Sequence, residues 1–204
     1  MKTTPITLVM LCLLMMGFIQ QVYAGEFHPI AFIAYDDGGD VLMEPELVSV
    51  NGRSVSIKSK VKAGGGVTLA MGAYIPISDS FGIQGSVGSK TDSVSYTNGY
   101  VGFTRTPVDL LLYVHIDDHH SLAFGSTYHT NSKFTFEAYD SPSSSFLVEF
   151  DDAAGALVEY NYAVLKSNEG GLKVGFRYTN IQYHRTDGLQ SFDGSSLGVI
   201  LYAY

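Results

Sequence analysis

The alternation of apolar and polar residues along 171–185 limits the possible folds more than any other feature of the chain. This stretch reads GLKVGFRYTNIQYHR, and every second residue from Leu172 to Tyr178 is apolar or aromatic. Lys173 and Arg177 lie between them. Because successive side chains of a β-strand point to opposite faces, the pattern predicts a strand with one apolar and one charged face. A soluble sheet would expose the charged face to water, whereas a membrane barrel would enclose it.

The same rhythm of strands and turns continues along the chain. Strands are predicted at 27–35, 67–75, 81–90, 100–115, 120–129, 153–165, 171–185 and 196–204. Short links are expected at about 76–80, 116–119 and 166–170, and long polar links at about 36–61, 91–99, 130–150 and 185–195. Within the first long link, Asn51-Gly52 predicts a small hairpin. Short turns at one rim and long loops at the other are typical of outer-membrane barrels.

The first 24 residues have the features of a secretory signal peptide. Lys2 gives a positive start, the run from Ile6 to Ile19 is almost wholly apolar, and Ala24 precedes the expected cleavage site. The apolar run is about 14 residues long, shorter than the roughly 20 that a spanning helix needs. We therefore expect a signal peptide at 1–24 and a single barrel domain at 25–204.

Removal of this leader leaves an acidic chain without cysteine. Cys12 is the only cysteine and lies in the leader, so disulfides cannot stabilise the exported protein. Of the 12 Lys and Arg residues Lys2 is lost, whereas all 20 Asp and Glu residues remain. An acidic chain is not expected to bind nucleic acid. No later apolar run reaches the length of a spanning helix, so a membrane-spanning form would have to be a closed β-barrel.

An inside-out barrel would place charged side chains in its lumen. If the apolar faces meet lipid, the lumen receives six charged residues: Lys90, Arg105, Asp109, Glu159, Lys173 and Arg177. Centring the turn KSNEGG near residue 168 puts Glu159 directly opposite Arg177, which predicts an internal charge pair. Side chains just fill the interior of an eight-stranded barrel, so these charges are interpreted as packing, with a ligand or ion site as the alternative.

With these features the chain resembles the small eight-stranded outer-membrane barrels of Gram-negative bacteria, the OmpA, OmpX and OmpW-like group. In that group the last strand ends in an aromatic residue with apolar residues at alternate positions before it, and this ending is an assembly signal. Ile200, Tyr202 and Tyr204 occupy those positions here. The resemblance implies an all-β, antiparallel up-and-down transmembrane barrel in the cell outer membrane. It also implies contact with outer-membrane lipid, recognition by the barrel-assembly machinery, and a monomer.

Several polar clusters suggest chemistry but also have simpler interpretations. His129 with Ser126 or Ser132 loosely resembles the His and Ser of outer-membrane lipid A hydrolases, although sequence spacing cannot establish a contact between nucleophile and base. HIDDHH, residues 115–120, could bind a metal ion, but it falls on a predicted short turn where polar residues are ordinary. YDDGGD, residues 35–40, does not fit the calcium-binding loop pattern and is interpreted as a solvated turn.

The sequence therefore favours a structural or loop-mediated role in the outer membrane, without catalytic residues, cofactor or metal site. Three alternatives remain at this point. They are an enzyme that modifies outer-membrane lipid, a narrow channel for ions or small solutes, and a soluble periplasmic barrel that binds an apolar ligand as lipocalins do.

Overall fold

The computed structural model describes residues 27–43, 48–50, 53–55, 60–96, 99–139, 145–167 and 170–204. The expected signal peptide lies outside these ranges. Eight long strands form the main sheet: β1 (His28–Asp37), β2 (Gly66–Pro76), β3 (Phe81–Tyr96), β4 (Gly99–His115), β5 (His120–Ala138), β6 (Ala153–Ser167), β7 (Gly170–His184) and β8 (Ser196–Ala203). Six short strands lie between them: Val41–Met43, Val48–Val50, Arg53–Val55, Val61–Lys62, Phe146–Glu149 and Ser191–Asp193.

The eight long strands close into an antiparallel up-and-down barrel. Each strand pairs with its neighbours in sequence, and β8 pairs with β1 to complete the ring. The closing register places Phe32 opposite Tyr202. The all-β, eight-stranded fold expected from the sequence is thereby confirmed. In the described part of the chain, no helix is long and apolar enough to cross a membrane.

The short-turn rim is formed as the sequence predicts. β2 and β3 are joined by residues 77–80, β4 and β5 by residues 116–119, and β6 and β7 by residues 168–169. In the second of these links Asp117 Oδ1 accepts hydrogen bonds from the backbone N–H groups of His119 and His120, both at 2.8 Å. This side-chain turn explains why polar residues gather there.

The strands extend further at the long-loop rim than the sequence predicts. β3 continues to Tyr96 and β4 starts at Gly99, so most of the predicted polar link 91–99 is paired strand. β5 likewise runs through the predicted link 130–150 to Ala138 and pairs there with Phe146–Glu149. The predicted loops were wrong because ladder hydrogen bonds and alternate apolar residues such as Val94 and Val101 outweigh the polar composition.

The link between β1 and β2 contains two small pairs of strands. Val48–Val50 pairs antiparallel with Arg53–Val55, as the Asn51-Gly52 signal predicts. Val41–Met43 pairs with Val61–Lys62. The second pair brings Val61 against the long-loop end of the barrel, where the side chain is completely buried.

The apolar side chains of the barrel wall point outward. Phe176 is 58% exposed, whereas its neighbour Arg177 is only 4% exposed. Arg177 on β7 contacts Asp109 on β4, and these two strands are not neighbours in the sheet. Side chains of non-adjacent strands can meet only across the lumen, so the charged face is the inner one. The lipocalin-like alternative is wrong, because it requires Phe176 and Tyr178 inside.

An apolar cluster fills the long-loop end of the barrel. Phe103 lies at its centre, with its ring 5.2 Å from the rings of both Phe150 and Tyr183. The cluster combines residues of the wall and of the links between strands: Val61, Ala63, Val101, Phe103, Phe134, Phe150, Ala153, Ile181 and Tyr183. Because these side chains are buried together, the cluster covers the lumen from the long-loop side.

Candidate functional site: the lumen and its charged groups

The centre of the lumen holds an arginine between two carboxylates. Glu159 and Arg177 are directly opposite each other on β6 and β7. Arg177 Nε donates a hydrogen bond of 2.7 Å to Glu159 Oε1, and Nη2 lies 2.6 Å from the same oxygen. Arg177 Nη1 also donates to Asp109 Oδ2 at 3.2 Å. The structure thus brings together these three of the six charged residues expected in the lumen.

Neutral side chains donate further hydrogen bonds to both carboxylates. Tyr202 donates a hydrogen bond of 2.8 Å to Glu159 Oε2, and Tyr113 and Asn161 donate to the same oxygen at 3.3 Å. Thr127 donates to Asp109 Oδ1 at 2.6 Å. Buried carboxylates are stable when charges and hydrogen bonds compensate the loss of water, and this cluster supplies both.

A second ion pair joins β1 and β3. Lys90 Nζ lies 2.9 Å from Asp36 Oδ2, and both side chains are buried in the lumen. The interpretation of Asp36 as part of a solvated turn was wrong, since β1 continues to Asp37. Ile30, Phe32 and Ala34 point inward on this strand, and Asp36 is the next residue of the same face. Extending the alternation by one position would have found it.

The other two carboxylates of YDDGGD lie apart from Asp36. Asp37 pairs with Lys62 at 2.6 Å on the exposed side, and Asp40 accepts a hydrogen bond from the backbone N–H of Asp193. The hydrogen bond from Lys62 to Asp37 raises the pKa of the Lys62 ammonium. The three aspartates therefore have three different partners and do not form one cation site.

Arg105 is completely buried near the long-loop end of the lumen. Its guanidinium donates to the carbonyl oxygens of Gly65 and Phe103 and lies 4.5 Å from the centre of the Phe103 ring. A register shift between Thr104 and Thr106 in the pairing of β4 with β5 accompanies this position. Carbonyl oxygens and an aromatic face thus surround this cation.

Lys173 occupies the opposite end, at the short-turn rim. Its ammonium lies 4.3 Å from the centre of the Tyr204 ring, 5.6 Å from Tyr74 and 5.7 Å from Tyr113. All six expected residues therefore line the lumen. Lys90 and Arg105 lie directly opposite each other on β3 and β4, whereas Lys173 lies at the other end. Among the described residues, no hydrogen bond joins the central trio, the Lys90 pair, Arg105 and Lys173 into one network.

The histidines have structural partners. His129 lies inside the barrel and its Nδ1 is hydrogen-bonded to the Tyr183 hydroxyl, whereas Ser126 is exposed on the outer face. The combination of His129 with Ser126 is wrong, because residues three apart on a strand point to opposite faces. Ser132 is buried, but it forms no hydrogen bond with His129 in the part of the chain that the structure describes.

The HIDDHH residues stabilise the short-turn rim. His115 bonds to Tyr74, His120 bonds to Tyr160, and His119 contacts the carbonyl oxygen of Ala163. Two backbone N–H donors hold the pKa of the Asp117 carboxyl below its usual value. Across the described ranges, no group of three or more His, Cys, Asp or Glu residues is arranged to hold a metal ion.

The last strand turns its aromatic face inward. Ile200 and Tyr202 are buried in the lumen, and the outer face of β8 consists of Leu197, Val199 and Leu201. Tyr204 follows the strand and exchanges two backbone hydrogen bonds with Gly171, of 2.7 and 3.2 Å. Two of the three residues expected to form the assembly signal, Ile200 and Tyr202, therefore face the packed interior.

These features define the class of the protein: a closed eight-stranded β-barrel with an apolar outer wall and a polar, side-chain-filled lumen. No known protein-family model matches the sequence, and no curated protein is significantly similar to it. The solved structures that match the chain include those of two different proteins. The first is Ail, the attachment invasion locus protein of Yersinia pestis, in complex with the heparin analogue sucrose octasulfate. Its identity is 11%, the match covers 89% of this chain and 100% of that chain, and the TM-score is 0.47.

The second is the outer membrane protein OprG from Pseudomonas aeruginosa. Its identity is 14%, the match covers 89% of this chain and 96% of that chain, and the TM-score is 0.48. At such identities and TM-scores neither similarity carries information about the ligands or partners of this chain.

Proposed function

We propose that this chain is an integral outer-membrane protein with a structural or loop-mediated, non-catalytic role. The apolar belt carries the proposal. Each of the eight barrel strands exposes large apolar side chains on its outer face, including Ile33 on β1, Met71 on β2 and Phe124 on β5. Burying one such side chain is worth about 1.5–3 kcal/mol, so a complete belt strongly favours lipid over water as its surroundings. Outer-membrane lipid is then the first partner of the barrel.

The filled lumen supports a role outside the barrel interior. The Arg177 cluster crosses the middle of the lumen, and the apolar cluster around Phe103 covers its long-loop end. A passage for ions would require both to rearrange. Contacts with other molecules are therefore proposed at the long-loop rim, where the long links between strands lie.

Export and assembly belong to the same proposal. The leader at 1–24 would direct the chain out of the cytoplasm. The barrel-assembly machinery would then recognise β8, the last strand. Because Ile200 and Tyr202 face inward, lipid would meet Leu197, Val199 and Leu201 instead. This arrangement predicts that the apolar residues of both faces of β8 contribute to assembly.

Cell fractionation with a gel-mobility assay tests the proposal. The protein should sediment with the outer membrane, and its mobility should change on boiling, because a closed barrel resists detergent until it is heated. Recovery in the soluble periplasmic fraction without detergent would refute it. Steady single-channel conductance of the purified protein in a planar bilayer would instead favour the channel alternative.

A further inference from the structure

A small recess opens at the short-turn rim of the lumen, below the Arg177 cluster. It has a volume of about 20 Å³ and is lined by His28, Tyr74, Gln84, Tyr113, Lys173 and Tyr204, among others. A space of this size holds one water-sized polar group. The recess lies at the end of the barrel opposite the apolar cluster, so it is the part of the lumen closest to the solvent at this rim.

Lys173 differs from the other lumen cations in its surroundings. Arg177 contacts two carboxylates, Lys90 contacts Asp36, and Arg105 donates to carbonyl oxygens. The Lys173 ammonium lies over the faces of three tyrosine rings, and among the described residues it forms no ion pair. Ring faces attract a cation but do not accept its N–H groups as an oxygen would. The ammonium therefore keeps donors for an acceptor that enters the recess.

The distribution of charges in the lumen also identifies Lys173 as the candidate anion-binding group. Lys90 and Arg177 form ion pairs with the lumen carboxylates Asp36, Asp109 and Glu159. Arg105 interacts electrostatically with Asp92, which follows Lys90 by two residues on β3. Among the described residues, Lys173 is the lumen cation with no carboxylate in direct contact. Arg105 is enclosed by the protein, so Lys173 at the rim is the cation that an external anion can reach.

Most of the polar side chains around the recess are already engaged, and His28, which also lines it, contacts the Tyr74 ring. Tyr74 bonds to His115, Tyr113 and Tyr202 donate to Glu159, and Gln84 donates to Tyr202. Their rings and stems form an apolar wall around a single cationic donor. Such a wall admits a small, flat anion and lowers the local dielectric, which strengthens a charge-assisted hydrogen bond.

We propose that this recess binds a small carboxylate, with one carboxylate oxygen accepting hydrogen bonds from Lys173 Nζ. A single carboxylate oxygen is water-sized and matches the volume of the recess, about 20 Å³. Its stem points to the rim, so the site would capture the acid end of a small molecule on the short-turn side of the membrane. The site is separate from the long-loop rim and does not depend on the role proposed there.

Titration of the full mature barrel in detergent micelles with acetate tests this inference. The probe is sodium acetate at constant ionic strength, and acetamide is its neutral counterpart of the same shape. The readout is the NMR shift of the Lys173 backbone amide and the Gln84 side-chain amide. Acetate should give a saturable shift and acetamide should not. A linear response to acetate, or equal responses to both compounds, would overturn the inference.

Two variants assign the effect to the charge of Lys173. Loss of a charge-assisted hydrogen bond predicts that K173Q weakens acetate binding about tenfold or more. K133Q is the control, since Lys133 is exposed, pairs with Glu149 at 3.1 Å and lies towards the long-loop end of β5, away from the recess. It should bind acetate as the unmodified chain does. Unchanged affinity in K173Q would refute the site, and if K173Q does not fold, K173R together with the acetamide comparison decides.

Discussion

Removal of the Arg177 charge is the most informative perturbation of this barrel. In the R177Q variant Glu159 and Asp109 lose their shared cation but remain buried. Removing one member of a buried ion pair costs about 3–5 kcal/mol, because the remaining charge has neither water nor a counter-ion. We expect R177Q to lower the free energy of unfolding by that amount.

The E159Q variant separates the two carboxylates. Arg177 then keeps Asp109 as its partner, and the amide oxygen of Gln can still accept hydrogen bonds from Tyr113 and Tyr202. The expected loss is that of one hydrogen bond to a charged group, about 1.5–3 kcal/mol. The order of the two variants follows from the geometry, because Arg177 serves two carboxylates and Glu159 contacts only one arginine.

Urea unfolding of the barrel in phospholipid vesicles measures both losses. Circular dichroism and the gel mobility of unboiled samples follow the transition, since the chain has no Trp to serve as a fluorescent probe. R185Q is the control, because Arg185 pairs with Asp187 in a partly exposed position and should cost about 0–1 kcal/mol. An R177Q variant as stable as R185Q, or less damaging than E159Q, would refute this reasoning.

Three further predictions use the same preparations. G198A should lower the free energy of unfolding by about 1–3 kcal/mol, because a Cβ at this position would collide with the Asp36 carboxylate and lie 2.7 Å from the Tyr35 carbonyl oxygen. A G198A variant as stable as the unmodified chain would contradict this prediction. F103A should lower it by about 3–5 kcal/mol by opening a cavity in the apolar cluster, and F103L should cost less. The ionised Asp117 carboxylate stabilises its turn fully at pH values above the usual aspartate pKa of about 3.9, and this stabilisation should be lost as the pH falls through the lowered pKa of Asp117. NMR shifts of the His119 and His120 backbone amides should therefore titrate below pH 4 in the unmodified chain and not in D117N.

The central charge pair could be predicted because its two strands share a short turn. A turn of few residues limits the register, and centring it near residue 168 matched Glu159 with Arg177. The register shift between Ala163 and Leu165 also contributes, because the Ser167–Gly170 pairing continued without it would place Glu159 opposite Tyr178. Lys90 could be assigned to the lumen by alternation, but its partner could not, because Asp36 is far away in sequence and lies on a strand whose end was misjudged.

The orientation of β8 could not be derived from the sequence. Leu197, Val199 and Leu201 on one face are as apolar as Ile200 and Tyr202 on the other, so alternation gives no preference. The choice depends on packing inside the lumen, where Tyr202 reaches Glu159 and its ring lies 4.9 Å from Phe32. The recess around Lys173 depends in the same way on side chains from several strands.

The position of the ion pairs has a consequence for how the barrel enters the membrane. Asp36 on the first strand requires Lys90 on the third, and Glu159 on the sixth requires Arg177 on the seventh and Tyr202 on the eighth. A half-built wall, open between its first and last strands, would expose incompletely neutralised charges to hydrocarbon. Insertion and ring closure should therefore proceed as one cooperative event, with no long-lived open intermediate in the lipid phase.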